Sequence, residues 1–202
     1  MTIIVGLTGG IASGKTTITN FLKTKRMKIH DSDLVVKNIY SKLPLKFTNY
    51  LIKINLKASL KGNKIDKNLI RKEIFNSPKK RKLLEKYLHA EVRKSRNIFL
   101  KKHRQKKTQI VFLDIPLLFE NKLENICNYT IFLYAPLKKR MQRAIRRRGM
   151  QKRILEKIIK SQLSDGIKKK KADFVIDTSA NKSWCFNKIS KTIELIKDRQ
   201  NA

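Results

Sequence analysis

A glycine-rich segment near the start of the chain has the residue types and spacing of a phosphate-binding loop. Residues 9–16 read Gly-Gly-Ile-Ala-Ser-Gly-Lys-Thr and fit the pattern G-x-x-x-x-G-K-[ST]. Glycines let consecutive backbone N–H groups point at phosphate oxygens, and the N-terminus of a following helix adds partial positive charge. The segment comes directly after a predicted strand and opens an amphipathic helix. We therefore predict that this loop binds the phosphates of a nucleotide.

Two side chains at the end of the loop carry its chemistry. Lys15 is predicted to reach the β- and γ-phosphates of ATP. Thr16 is predicted to offer its hydroxyl to a Mg²⁺ ion that bridges the same phosphates and offsets charge during transfer. The motif thus favours phosphoryl transfer from ATP.

Acidic residues follow two of the predicted strands. Asp31 and Asp33 come after the second strand, at the sheet edge where the loop also lies, so either is a candidate to accept the proton of an acceptor hydroxyl. Strand alternation would send both side chains the same way, and a helix cap is the competing interpretation. Asp114 ends the apolar run 110–113 and resembles the Walker B residue that holds Mg²⁺ through water.

Arginines in a basic segment are candidates to stabilise the migrating phosphoryl group. Arg143 and Arg147 lie one helical turn apart, so closure of this segment over ATP would bring both guanidinium groups in and exclude water. A solvated basic helix surface is the alternative. Glu120, a few residues after Asp114, is a candidate either to contact the substrate or to cap the next helix.

These positions require an alternating α/β scaffold. Short apolar runs predict strands at residues 3–7, 27–29, 110–113, 130–134 and 174–176, with helical spacing between them. We expect a three-layer α/β fold of the P-loop type, with a parallel sheet covered on both faces. One domain is predicted, with a core at about 1–33, 108–137 and 172–202, a mainly helical insert at about 34–107, and a helical lid at about 138–171.

Composition limits the partners. The chain has 202 residues, 49 Lys and Arg against 15 acidic residues, and a formal net charge of +34, which favours polyanionic ligands. Aromatic residues are not interleaved with the basic runs, so a specific nucleic-acid partner is not expected. The 2 cysteines have no disulfide or zinc spacing. We find neither a basic leader nor a membrane-length apolar run, and we expect a cytoplasmic monomer that does not bind membranes.

Motifs along nearly the whole chain resemble the bacterial dephospho-coenzyme A kinase family. They are residues 7–17, Asp31 with Asp33, residues 65–67, Ile74-Phe75, Leu88-His89, residues 114–120 (Asp-Ile-Pro-Leu-Leu-Phe-Glu), Arg143 with Arg147, Gln162 and residues 172–177. The run 114–120 combined with Leu-His is the particular part, because the P-loop is common to many kinases. From the residues alone, a nucleoside, shikimate or gluconate kinase stays open, as does, remotely, a basic nucleic-acid-binding protein.

The resemblance implies an activity and a set of site residues. It implies ATP-dependent phosphorylation of the ribose 3′-hydroxyl of dephospho-coenzyme A, with Asp33 as the catalytic carboxylate, Arg143 and Arg147 as lid arginines, and an acceptor-binding insert. The implied ATP contacts are Gly9, Gly10, Ala12, Ser13, Gly14, Lys15, Thr16 and Thr17. The implied acceptor contacts are Thr8, Asp33, His89, Leu117 and Glu120.

Overall fold

The computed structural model describes residues 1–62, 64–146 and 149–201, which form two compact units. One unit comprises Met1–His30 and His103–Ala202, and the other comprises Asp31–Lys102. Among the described residues, no helix is both long and apolar enough to cross a membrane.

The strands and helices alternate along much of the chain. The strands are β1 (Ile3–Gly9), β2 (Lys28–Asp31), β3 (Leu60–Lys61), β4 (Lys64–Ile65), β5 (Ile110–Asp114), β6 (Tyr129–Tyr134) and β7 (Phe174–Asp177). The helices are α1 (Lys15–Thr24), α2 (Ser32–Lys42), α3 (Leu45–Lys53), α4 (Lys67–Asn76), α5 (Pro78–Gln105), α6 (Leu137–Ile145), α7 (Lys152–Lys160), α8 (Asp165–Lys171) and α9 (Lys182–Asn201).

A five-stranded sheet in the order β2-β5-β1-β6-β7 organises the first unit. β1 pairs in parallel with β5 on one side and β6 on the other, and β6 pairs in parallel with β7. All residues of β1 and β5 are buried, as expected for central strands covered on both faces. The predicted three-layer α/β fold is confirmed.

The strands extend past the predicted apolar runs on the side where the P-loop lies. β1 includes Thr8 and Gly9, and β5 includes Asp114. Hydrophobic patterning stops at Leu7 and Leu113 because the last residues of these strands are polar or glycine. The pattern therefore leaves out the strand ends that lie on the side of the P-loop.

Helices α1 and α9 cover one face of the sheet. Ile18 and Leu22 of α1 and Ile189 and Ile193 of α9 are buried in one cluster with the strand residues, which include Val5. Each buried side chain of this kind stabilises the fold by roughly 1.5–3 kcal/mol. This packing fixes the start of α1, and with it the loop that precedes α1.

The second unit is mainly helical, as the insert was predicted to be, but it also contains a short antiparallel hairpin. Its core consists of buried side chains from α3, α4 and α5 and the connection between α3 and α4; these are Phe47, Leu51, Ile54, Leu56, Ile70 and Leu84. In the hairpin, Leu60 pairs with Ile65 and Lys61 with Lys64. Strands of two residues are too short for an alternating pattern to reveal.

Candidate active site

The loop between β1 and α1 has backbone positions that only glycine fills well. Gly14 has φ of 86°, in the left-handed region, and directly precedes the first residue of α1. A Cβ on Gly9 would lie 2.3 Å from Ser13 Oγ and 2.9 Å from the Leu133 carbonyl oxygen. The loop is therefore closely packed against β6, and its N–H groups lead into the N-terminus of α1, where anions bind.

A buried carboxylate binds the P-loop lysine. Lys15 Nζ forms an ion pair with Asp114 Oδ1, and Thr19 Oγ1 donates to Asp114 Oδ2 at 2.8 Å. Asp114 is buried, whereas Thr16 is exposed. Lys15 and Asp114, which were predicted separately as site residues, are thus brought together. Sequence reasoning missed Thr19, although it lies four residues after Lys15 on α1.

Thr8 joins the end of β1 to the segment that follows β5. Its buried hydroxyl donates to the Pro116 carbonyl oxygen at 3.0 Å, and the Ile115 N–H donates to Leu7 O at 3.0 Å. Leu117 is 38% exposed, next to this junction. Thr8 and Leu117 lie near the end of β1 that leads into the P-loop. Their roles toward an acceptor stay predictions.

One predicted lid arginine reaches the P-loop. Arg143 on α6 donates from Nη2 to the Thr178 carbonyl oxygen at 2.8 Å, and Thr178 Oγ1 lies 2.5 Å from Ser13 O. Thr178, which follows β7, was not singled out from the sequence. Arg147 lies outside the described residues, so the prediction of a paired guanidinium group is not tested here.

A cavity of about 240 Å³ opens beside the end of the P-loop. Arg143 and Lys182 contribute cations to its lining, and Cys185 contributes a thiol. Burial is the main cause that raises the pKa of the Cys185 thiol, and nearby Asp177 raises it further. The thiol is therefore neutral at pH 7, and the cavity combines apolar and cationic walls.

Glu120 is tied to the segment around α8. Its Oε1 lies 2.7 Å from Lys168 Nζ and accepts from the Leu163 N–H at 3.0 Å. Lys168 is only 1% exposed. It belongs to the lysine run 168–171, which sequence reasoning treated as one basic segment; the turn of α8 directs this one lysine inward. The predicted contact between Glu120 and an acceptor is left untested by these bonds.

The two aspartates near the start of the second unit differ in their roles. Asp31 is the N-cap of α2 and accepts from the Leu34 N–H at 2.9 Å. Asp33 lies in the first turn of α2 with an exposed side chain. Strand alternation does not extend across these residues, because the helix begins at Ser32. His89, a predicted acceptor contact, is exposed on α5.

The chain is similar to dephospho-CoA kinases along most of its length. The family model described as dephospho-CoA kinase matches residues 3–183. A dephospho-CoA kinase of Fusobacterium nucleatum is 33% identical over 195 residues, covering 96% of this chain and 98% of the relative. The dephospho-CoA kinase of Campylobacter jejuni superposes with a TM-score of 0.72 at 25% identity, covering 99% of this chain and 100% of that one. The Thermus thermophilus protein TT1252 superposes with a TM-score of 0.78 at 25% identity, covering 96% of each chain.

Proposed function

The chain belongs to the dephospho-CoA kinase family, and we propose that it transfers the γ-phosphoryl group of ATP to the ribose 3′-hydroxyl of dephospho-coenzyme A, the last step of coenzyme A synthesis. The products are coenzyme A and ADP. The match to the family along almost the whole chain is the observation that carries this proposal.

The loop and its neighbours bind the donor. The N–H groups from Gly9 to Thr17 hold the phosphates, and Lys15 contributes the charge that stabilises the migrating group. The ion pair with Asp114 supports this role because it holds the ammonium group close to the loop. The cavity lined by Arg143 accepts the nucleoside part of ATP, and the guanidinium group of Arg143 lies near the phosphates.

Oxygen donors beside Lys15 fit a magnesium ion. Asp114 offers a buried carboxylate and Thr16 an exposed hydroxyl, and Mg²⁺ prefers oxygen ligands from one or two protein groups together with substrate phosphates. We assign these two side chains to the ion, Asp114 through water. When bound, the ion offsets charge on the β- and γ-phosphates.

Five residues are proposed to contact the acceptor. Asp33 accepts the proton of the 3′-hydroxyl, and the other predicted acceptor contacts are Thr8, His89, Leu117 and Glu120. The net charge of +34 suits two anionic substrates. We propose that the enzyme acts in the cytoplasm as a monomer, without a specific nucleic-acid partner.

An acceptor panel tests this function. Purified protein with Mg-ATP is given dephospho-coenzyme A, adenosine, shikimate or gluconate, and ADP is followed by a coupled assay. We expect rapid ADP formation only with dephospho-coenzyme A, because the family match points to this acceptor. Faster ADP formation with another acceptor would reject the assignment.

A further inference from the structure

Two side chains outside the glycine motif contact the first half of the P-loop, and a third binds one of them. Arg140 of α6 and Gln162 of the connection between α7 and α8 contact the loop, and Asp165, the first residue of α8, binds Arg140. We call these three residues the clamp. All belong to the same compact unit as the loop.

Arg140 is a buried cation packed against the loop backbone. Its side chain is 6% exposed, its Nε donates to the Ala135 carbonyl oxygen at 2.9 Å, and its Nη2 donates to Asp165 Oδ2 at 2.5 Å. A Cβ on Gly10 would lie only 2.3 Å from Arg140 Nη1. The guanidinium group therefore touches Gly10 and is held in place by a partly buried, charge-assisted bond.

Gln162 binds the next residue of the loop. Its Oε1 accepts from the Ile11 N–H at 3.3 Å. Ile11 also packs with Ala12 in an apolar cluster that contains Ala144 of α6 and Leu155 of α7. Residues 10–12 are thus bounded by α6, α7 and the connection between α7 and α8.

The loop needs such support at Ala12. This residue has φ of 58°, a left-handed conformation that is unfavourable for a residue with a Cβ. Its strained backbone persists only where the surroundings fix it. A loop released from the clamp would populate other conformations, which do not align its N–H groups with phosphate.

We propose that Arg140, Gln162 and Asp165 are positioning residues that hold Gly10–Ala12 in the phosphate-binding conformation. Arg140 is paired with Asp165, so its charge is already balanced within the clamp. The three residues therefore act by holding the loop backbone. Because Gln162 lies in the connection between α7 and α8, the position of this connection affects the loop that binds the nucleotide. This inference rests on the proposed function, since the loop conformation matters only if the loop binds nucleotide.

The test compares Arg140→Met and Asp165→Asn with the wild type. The control is Lys138→Met, which removes the same charge from an exposed position of the same helix. For each protein we would measure the Kd of ADP with Mg²⁺ by calorimetry, kcat and KM for ATP, and the unfolding temperature. If the competent loop population falls to about one tenth, the Kd of ADP and the KM for ATP rise about tenfold.

We expect that rise in Arg140→Met, a smaller rise in Asp165→Asn, and in the double variant no further loss beyond Arg140→Met, with kcat at saturating ATP changed less than KM. Gln162→Leu serves as a second route if Arg140→Met does not fold. A lowered unfolding temperature with unchanged Kd and KM would overturn the clamp. Failure of the wild type to bind ADP would instead reject the proposed function, so the two outcomes are distinguishable.

Discussion

Replacing Lys15 with methionine is expected to lower kcat by about 10³-fold, because it removes the cation that stabilises the transferring phosphoryl group. Methionine keeps much of the apolar stem and loses only the ammonium group. The matched control is Lys23→Met, an exposed lysine on the same helix α1. Steady-state assays with saturating dephospho-coenzyme A would measure both variants.

This substitution also removes the cationic partner of the buried Asp114, and breaking a buried ion pair costs about 3–5 kcal/mol. The double variant Lys15→Met with Asp114→Asn separates the two effects. We expect urea unfolding to show recovered stability in the double variant, while kcat stays low. Turnover of Lys15→Met close to that of Lys23→Met would refute the role of Lys15.

Replacing Asp33 with asparagine is expected to lower kcat by about 10²- to 10⁴-fold, the usual contribution of a general base. The chain supplies its own control in Asp31, which caps α2 through the Leu34 N–H. Asparagine caps helices about as well as aspartate, so Asp31→Asn should change kcat by less than about threefold.

A large loss in Asp31→Asn together with normal turnover in Asp33→Asn would assign the base to Asp31. Normal turnover in both variants would remove the carboxylate base from the mechanism and leave phosphate binding by the loop unaffected.

Patterns close together in the chain predicted much of this molecule. β-branched runs such as Ile3-Ile4-Val5 reveal buried parallel strands, and the glycine spacing of the loop has a direct steric cause, visible at Gly9 and Gly14. The five strands and the family assignment are confirmed.

Contacts between distant parts of the chain were not predictable in the same way. Lys168 is one of four consecutive lysines, and the sequence does not distinguish it from its neighbours. Its buried ion pair is with Glu120, which lies 48 residues earlier. Arg140 likewise looks like any other cation of a basic helix until its contact with Asp165 is known. Asp31 caps α2 because the helix begins at Ser32, directly after β2. The apolar pattern does not fix this boundary.

The proposed reaction places the γ-phosphoryl group of ATP on the ribose of dephospho-coenzyme A. Phosphorus NMR of a reaction containing protein, Mg-ATP and dephospho-coenzyme A should show a new phosphomonoester on the acceptor ribose in one-to-one amount with ADP. Release of inorganic phosphate with ADP, and no new monoester, would contradict the account.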